Sequence, residues 1–286
     1  MPPAHPVPPP TDRPPARWGR RAVAVLAAAA GAATGLGGCG DGEGTVELGY
    51  RPEPGAVYDY VTEVESTTTT ALPGVAPEVR EDITRLDVRQ TVDAADADGA
   101  AVTVALTRPG AGTRTVSVRL DRAAQLTAVT GVEGISADVL GDLGLSEIFP
   151  AAAGAPPPQP LAPGERWRID DDISLAGTDR PLRLTGEGRL VRLGVEDGRE
   201  VATVTSTTRL PVERTTTTAQ GDQTITGIQH TTTTATYDLT DGAVVRAESA
   251  TTASYRLVLA PPPALADVAP VEGTLTLRLE SQVARS

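Results

Sequence analysis

The sequence predicts a mainly β protein: a large antiparallel sheet, curved into an open barrel or folded as a sandwich, built from two similar halves with one short helix between them. Three observations carry this prediction. Apolar residues recur at every second position over much of the chain, Asp-Gly dipeptides punctuate those runs, and the landmarks of the first half return in order in the second.

Residues 1–38 differ in kind from the rest and are set aside before any fold reasoning. Arg13, Arg17, Arg20 and Arg21 form a basic opening, and an uncharged Ala-rich run from Ala22 to Leu36 follows. That run has the length of a signal-peptide apolar region and is short for a membrane span. It ends in Leu36-Gly37-Gly38-Cys39, which resembles the lipobox of bacterial lipoproteins. The resemblance implies that Cys39, the one cysteine of the chain, receives a diacylglyceryl group and becomes the N-terminus after cleavage. An unpaired thiol in an exported protein calls for such a reason. Arg20-Arg21 leaves both general and twin-arginine export open.

Residues 39–44 then read as the lipidated cysteine and a Gly-rich tether reaching only about 20 Å, so the folded part sits close to the membrane. Residues 45–150 form the first β half. Val102, Val104 and Leu106 alternate with polar or small residues, as do Val116, Val118 and Leu120, so each run has one apolar face. One segment, Ser136 to Phe149, carries Val139, Leu140, Leu143 and Ile148 at helical spacing, and Pro150 stops it. Residues 151–163, with Pro156-Pro157-Pro158, read as a stiff linker. Residues 164–286 form the second β half, where Leu275, Leu277 and Leu279 alternate in the same way.

The suggested repeat rests on three matches. Pro54-Gly55-Ala56-Val57-Tyr58 corresponds to Pro163-Gly164-Glu165-Arg166-Trp167, Asp98-Gly99 to Asp197-Gly198, and the acidic hairpin from Leu120 to Leu126 to that from Leu239 to Val245. The expectation is that the halves meet near the linker. Thr67 to Thr70, Thr215 to Thr218 and Thr231 to Thr234 read as solvent-facing or edge strands, because Thr is β-branched yet soluble.

The chemistry-bearing residues are few. With the leader's four arginines and Asp12 removed, 21 basic and 36 acidic residues remain, a net charge of −15, which argues against nucleic acid as a partner. His230 is the sole histidine beyond the leader, in a polar strand context, with no Gly-x-Ser-x-Gly elbow to accompany it. One histidine and a lipidated cysteine leave zinc or redox metals without ligands. Asp93, Asp96 and Asp98 read as a hairpin turn, and Asp170-Asp171-Asp172 as a solvated strand end. The expectation is therefore no enzyme, no catalytic residue, no metal and no cofactor.

All 25 basic residues are Arg, which with the Ala, Gly and Pro usage suggests a GC-rich genome. The order of lipobox, tether, Pro-Gly-x-x-aromatic strand, Thr-rich strands, Phe149-Pro150 and Pro163-Gly164-x-x-Trp167 resembles a family of actinobacterial lipoproteins. The hairpins around Asp121 and Asp241 more distantly resemble lipoprotein carriers of the LolA type and mycobacterial lipoproteins that carry glycolipids. Those resemblances imply a curved, half-closed antiparallel sheet with helices over an apolar cavity, held by lipid on the outer face of the cell membrane. The partner they imply is a lipid-like ligand, with an envelope protein as the alternative.

Overall fold

In the computed structural model, residues 44–286 are described except 111, 123, 125, 133–155, 174–181, 219–220, 263 and 265–266, and except the side chains of 126–132, 173 and 218. The leader, Cys39 and the helix expected over Ser136 to Phe149 therefore lie outside the described residues. Eleven strands follow one another: β1 (Val57–Ala71), β2 (Glu78–Asp96), β3 (Gly99–Arg108), β4 (Gly112–Asp121), β5 (Leu126–Val132), β6 (Arg166–Ile173), β7 (Leu182–Glu196), β8 (Arg199–Thr218), β9 (Gly221–Asp238), β10 (Val244–Ala260) and β11 (Val271–Arg285). All belong to one antiparallel sheet in the order β5-β4-β3-β2-β1-β11-β10-β9-β8-β7-β6.

One sheet holds every described strand, so the open, curved form is the one adopted and the sandwich alternative is corrected. The alternation seen in the sequence has the expected cause. Along β10, Ala247, Thr251, Ala253, Tyr255 and Leu257 are buried while the residues between them are exposed or half-buried. Along β3, Ala100, Val102 and Val104 are fully buried. Along these stretches the strand turns one side inward and leaves the other to solvent.

The repeat is visible in the backbone. Gly55 N donates to Val92 O (2.7 Å) and Val92 N to Ala56 O (2.9 Å); in the second half Gly164 N donates to Leu190 O (2.7 Å) and Leu190 N to Glu165 O (3.0 Å). The register of β2 against β3 shifts just after Val92, and that of β7 against β8 just after Leu190. Strands β1–β5 and β6–β10 thus repeat one order of hairpins. The halves do not meet at the linker, however. Strands β5 and β6, which flank it, are the two edges of the sheet, and the joint is β11, which pairs with β1 on one side and β10 on the other.

How strongly the sheet curls follows from the segment that crosses it. Val46 exchanges backbone hydrogen bonds with Leu161, just before β6, while Tyr50 N donates to Arg122 O, just after β4, and Arg51 N to Asp241 O between β9 and β10. In a flat sheet β4 and β6 would lie nine strand spacings apart, about 43 Å at roughly 4.8 Å each. Four residues span at most about 14 Å. The sheet must therefore roll up at this end until its flanks are bridged by residues 46–51, which we call the strap. Leu161, expected within a linker, is buried in this contact.

Two buried clusters occupy the rolled end. One joins Tyr50, Tyr58, Tyr60, Val88, Val102, Val118 and Val283, and the other Leu48, Leu161, Trp167, Ile169, Leu190 and Val204. The strap contributes Tyr50 to the first and Leu48 to the second.

The Thr runs lie in β1, β8 and β9, none of which is an edge. Thr232 and Thr234 face solvent, but Thr233 is buried and Thr231 Oγ1 is hydrogen-bonded to Thr251 Oγ1 (2.8 Å). The interior position of these strands overturns the edge-strand expectation, while Thr215, Thr216 and Thr217 are exposed, in line with the solvent-facing one.

Candidate functional site under the strap

Tyr58 and Tyr60 stand two apart on β1 and so share the inner face, where Tyr60 lies opposite Arg285 of β11. Tyr50 reaches the same place from the strap; its ring centroid is 6.5 Å from that of Tyr58, and Tyr58 is again 6.5 Å from Tyr60. The Arg285 guanidinium lies over the Tyr58 ring at 4.7 Å, within range of a cation–π attraction. Tyr58 Oη donates to Asp241 Oδ2 (2.9 Å), whose other oxygen accepts from Ala243 N (2.8 Å). The β9–β10 hairpin is therefore held to the strap through the Arg51 backbone N–H and to β1 through Tyr58, with Asp241 serving both.

Gly242 makes the close approach possible. Its φ is +72°, and a Cβ there would overlap Gly49 O of the strap.

The electrostatics are those of a dry floor. Burial, followed by the neighbouring Asp241 charge, pushes the Tyr50 and Tyr58 hydroxyls well above the usual phenol range, and burial followed by Tyr50 does the same to Tyr60. Asp238 is almost fully enclosed. Burial alone would raise its pKa, but the Thr240 backbone N–H and the Arg199 guanidinium (3.1 Å) outweigh that and hold it below the ordinary carboxylate range. Arg285 Nη1 is 3.8 Å from Asp238 Oδ2 and has no hydrogen-bond partner.

Beside this cluster, a cleft opens between the strap and the inner face. Glu47, Leu48, Tyr50, Trp167, Val204 and Tyr237 are among its walls, with Arg122 and Asp238 at its margin. The room it offers to the centre of a water molecule is about 20 Å³, which suits one small polar group and not an acyl chain. Trp167 reaches the cleft because Gly188, opposite it on β7, has no side chain to displace the indole.

Beyond the floor, the inner face of the central strands continues as an aliphatic strip. Leu210 of β8 and Tyr255 and Leu257 of β10 are buried, and Leu275, Leu277 and Leu279 of β11 are half-buried, on strands of fifteen to twenty residues. Register places Leu275 beside Tyr255 and Leu277 beside Ala253.

The sequence-predicted residues fall elsewhere. Leu36, Gly37, Gly38 and Cys39 lie outside the described residues. His230 is exposed on β9, opposite Thr252 and Arg209. Asp96 Oδ1 accepts from Asp98 N (2.9 Å) and Arg119 (2.6 Å), and Asp93 accepts from Thr103 (2.7 Å), so that cluster is a hairpin turn. Asp170 accepts from Nε and Nη2 of Arg183 (2.6 and 2.9 Å), on an edge strand whose charges discourage pairing with another chain. Among the described residues, no group of three or more His, Cys, Asp and Glu is placed to hold a metal ion, and no helix is long and apolar enough to cross a membrane.

Sequence reasoning noted Tyr58 as a strand-opening aromatic and Asp241 as a hairpin turn, but named neither of them, nor Tyr50, Tyr60, Asp238 or Arg285, as a site residue. One signal was present: three of the five tyrosines fall between residues 50 and 60. No known family model matches this sequence, and no curated protein matches it either.

Proposed function

We propose that this chain is a lipoprotein of the outer face of the cell membrane, anchored through Cys39, and that its rolled sheet binds a hydrophobic, lipid-like ligand without catalysing a reaction. The observation that carries the reading is the aliphatic inner strip of β8, β10 and β11, which belongs to a single sheet with no second sheet packed upon it among the described strands. A rolled single sheet of this kind shelters apolar surface on one side, which is how open and closed β-barrels enclose apolar ligands. The lipobox supports the anchor: Leu36-Gly37-Gly38-Cys39 stands six residues before the strap begins to form. A tether that short keeps the strapped end next to the bilayer. The distribution of chemistry supports a binder over an enzyme, since His230 is exposed on β9 while Asp96 sits in a surface turn and Asp170 in an ion pair.

Two measurements test the proposal. Wild type expressed in a related host is expected in the membrane fraction with a lipid-sized mass addition, and Cys39→Ala in the soluble fraction without it; equal membrane retention without added mass removes the anchor. Organic extraction of purified Cys39→Ala protein, followed by mass spectrometry, is expected to release lipid in about stoichiometric amount. A clean extract removes the ligand and favours an envelope protein as partner.

A further inference from the structure

The first half of β2 is paired on one side only. Its register with β1 runs without a shift from Glu78 to Thr91, but β3 covers its other side only from Asp87 onward, because the β3–β4 hairpin turns back through Pro109 and Gly110 just past Thr107. Glu78 to Ile83 are all exposed, Val79 at 57 % and Ile83 at 66 %. Val92 directs both its N–H and its C=O to the β1 side, and successive residues of an antiparallel strand direct theirs to opposite neighbours. The backbone groups of Val79, Glu81 and Ile83 therefore point away from β1, to a side where no strand lies among the described residues.

That edge is guarded against its own copy. Two chains joined antiparallel about a two-fold axis centred on Arg80, Glu81 or Asp82 would set like charges directly opposite one another, which is destabilising. Centring on Ile83 would bring the partner's Val79 opposite Asp87, where Thr107 already lies. Centring on Val79 would engage only Glu78 to Arg80 of the strand. Against a different strand the edge is open: it holds neither Pro nor Lys between Glu78 and Leu86, and the register shift against β3 comes only after Val92.

Its side chains narrow the partner. Glu81 stands between Val79 and Ile83 on one face, opposite Thr67 of β1. Among the described residues Glu81 has no ion pair, whereas its neighbour Arg80 is engaged with Glu78 at 2.6 Å. The formal net charge of −12 adds a field that draws in a basic segment.

We propose that β2 between Val79 and Ile83 is a docking edge for an extended segment of another protein, added as a further strand with apolar, basic and apolar residues at alternate positions. The backbone holds the segment, Glu81 selects the basic residue, and Val79 and Ile83 cover the apolar ones. None of these residues belongs to the aliphatic inner strip, so the inference is independent of the lipid-binding reading.

The test uses the full chain carrying Cys39→Ser and a fluorescent peptide, acetyl-Thr-Val-Thr-Arg-Thr-Val-Thr-amide, read by anisotropy. Saturable binding is expected with a Kd below about 1 mM, about fivefold weaker when Glu replaces Arg in the peptide. Methylating the Arg amide nitrogen should weaken it about tenfold, and methylating the next Thr nitrogen, which faces away from β2, clearly less. Glu81→Arg changes an exposed side chain and is checked for folding by circular dichroism; it is expected to reverse the preference between the Arg and Glu peptides. No binding, an unreversed preference in the folded variant, or equal loss from the two methylations overturns the proposal. Sedimentation without peptide is expected to show a monomer, and a dimer that Ile83→Asp dissolves would assign the edge to a second copy and overturn it too.

Discussion

Replacing Gly188 by Ala adds one methyl group, and its position relative to Trp167 sets the cost. A Cβ at Gly188 would overlap the indole Cε2 and Cζ2 atoms and lie 2.6 Å from Nε1, whereas carbon contacts relax at roughly 3.5–4.0 Å. The ring must move by about 1 Å or more, yet it is buried in one cluster with Leu48, Leu161, Ile169 and Leu190. Overpacking of this kind costs about 1–3 kcal/mol. The lower backbone entropy of Ala returns about 0.5–1 kcal/mol. The expected net destabilisation is therefore about 1–2 kcal/mol. Gly194→Ala supplies the internal control, since that residue is on the same strand and nothing lies within 4 Å of its added Cβ; it should be neutral or stabilising. Urea denaturation read by far-ultraviolet circular dichroism measures both variants. The cost of Gly188→Ala should also shrink when Trp167 is replaced by Phe, whose smaller ring lacks the colliding Nε1–Cε2–Cζ2 edge of the indole. Equal stability of the two alanine variants, or no such coupling, would refute the packing argument.

Two further predictions concern the latch and its charges. Tyr58→Phe removes the hydrogen bond to Asp241 and should cost about 1 kcal/mol, with faster hydrogen exchange at the Tyr50 and Arg51 amides; unchanged exchange would show that the strap is held without it. Asp238 has a lower pKa folded than unfolded, so its contribution is present above about pH 4 and is lost as pH falls through the folded value. Thermal melts from pH 7 to pH 2 should therefore show a shallower acid loss for Asp238→Asn than for wild type, with the remaining slope due to Asp59, Asp96 and Asp170, which Arg partners also hold below the ordinary range. Identical slopes would contradict that assignment.

Much of the strand content was legible because its cause is local. Val102 and Val104 alternate because the sheet has two faces, and Asp197-Gly198 marks a hairpin because both residues take positive φ (51° and 79°). The Pro54-Gly55 and Pro163-Gly164 matches were also legible, since each is a turn that returns the same backbone hydrogen bonds. What escaped was non-local. Leu161 sits among prolines and reads as linker, yet its bridge to Val46 depends on residues more than a hundred positions away. The Tyr58–Arg285 contact depends on the register between β1 and β11, which nothing near either residue encodes. The Thr runs were read as solvent-facing or edge strands because composition reports what a strand tolerates and not which neighbours it acquires.

The position of β11 has a consequence for how the molecule comes into being. Tyr60 pairs with Arg285, so the middle of the sheet is completed by the strand that follows the other described strands in chain order. Until it arrives, β1 and β10 are two exposed edges with nothing between them, and each half has hairpins but no rolled end to close. Pairings of such sequence separation form slowly, because a long loop must be ordered before they are rewarded. The unfinished chain thus stays loose for as long as it is being made. On the proposed export, that is the condition in which a polypeptide is threaded through a translocation channel, and β11 then acts as a lock between β1 and β10.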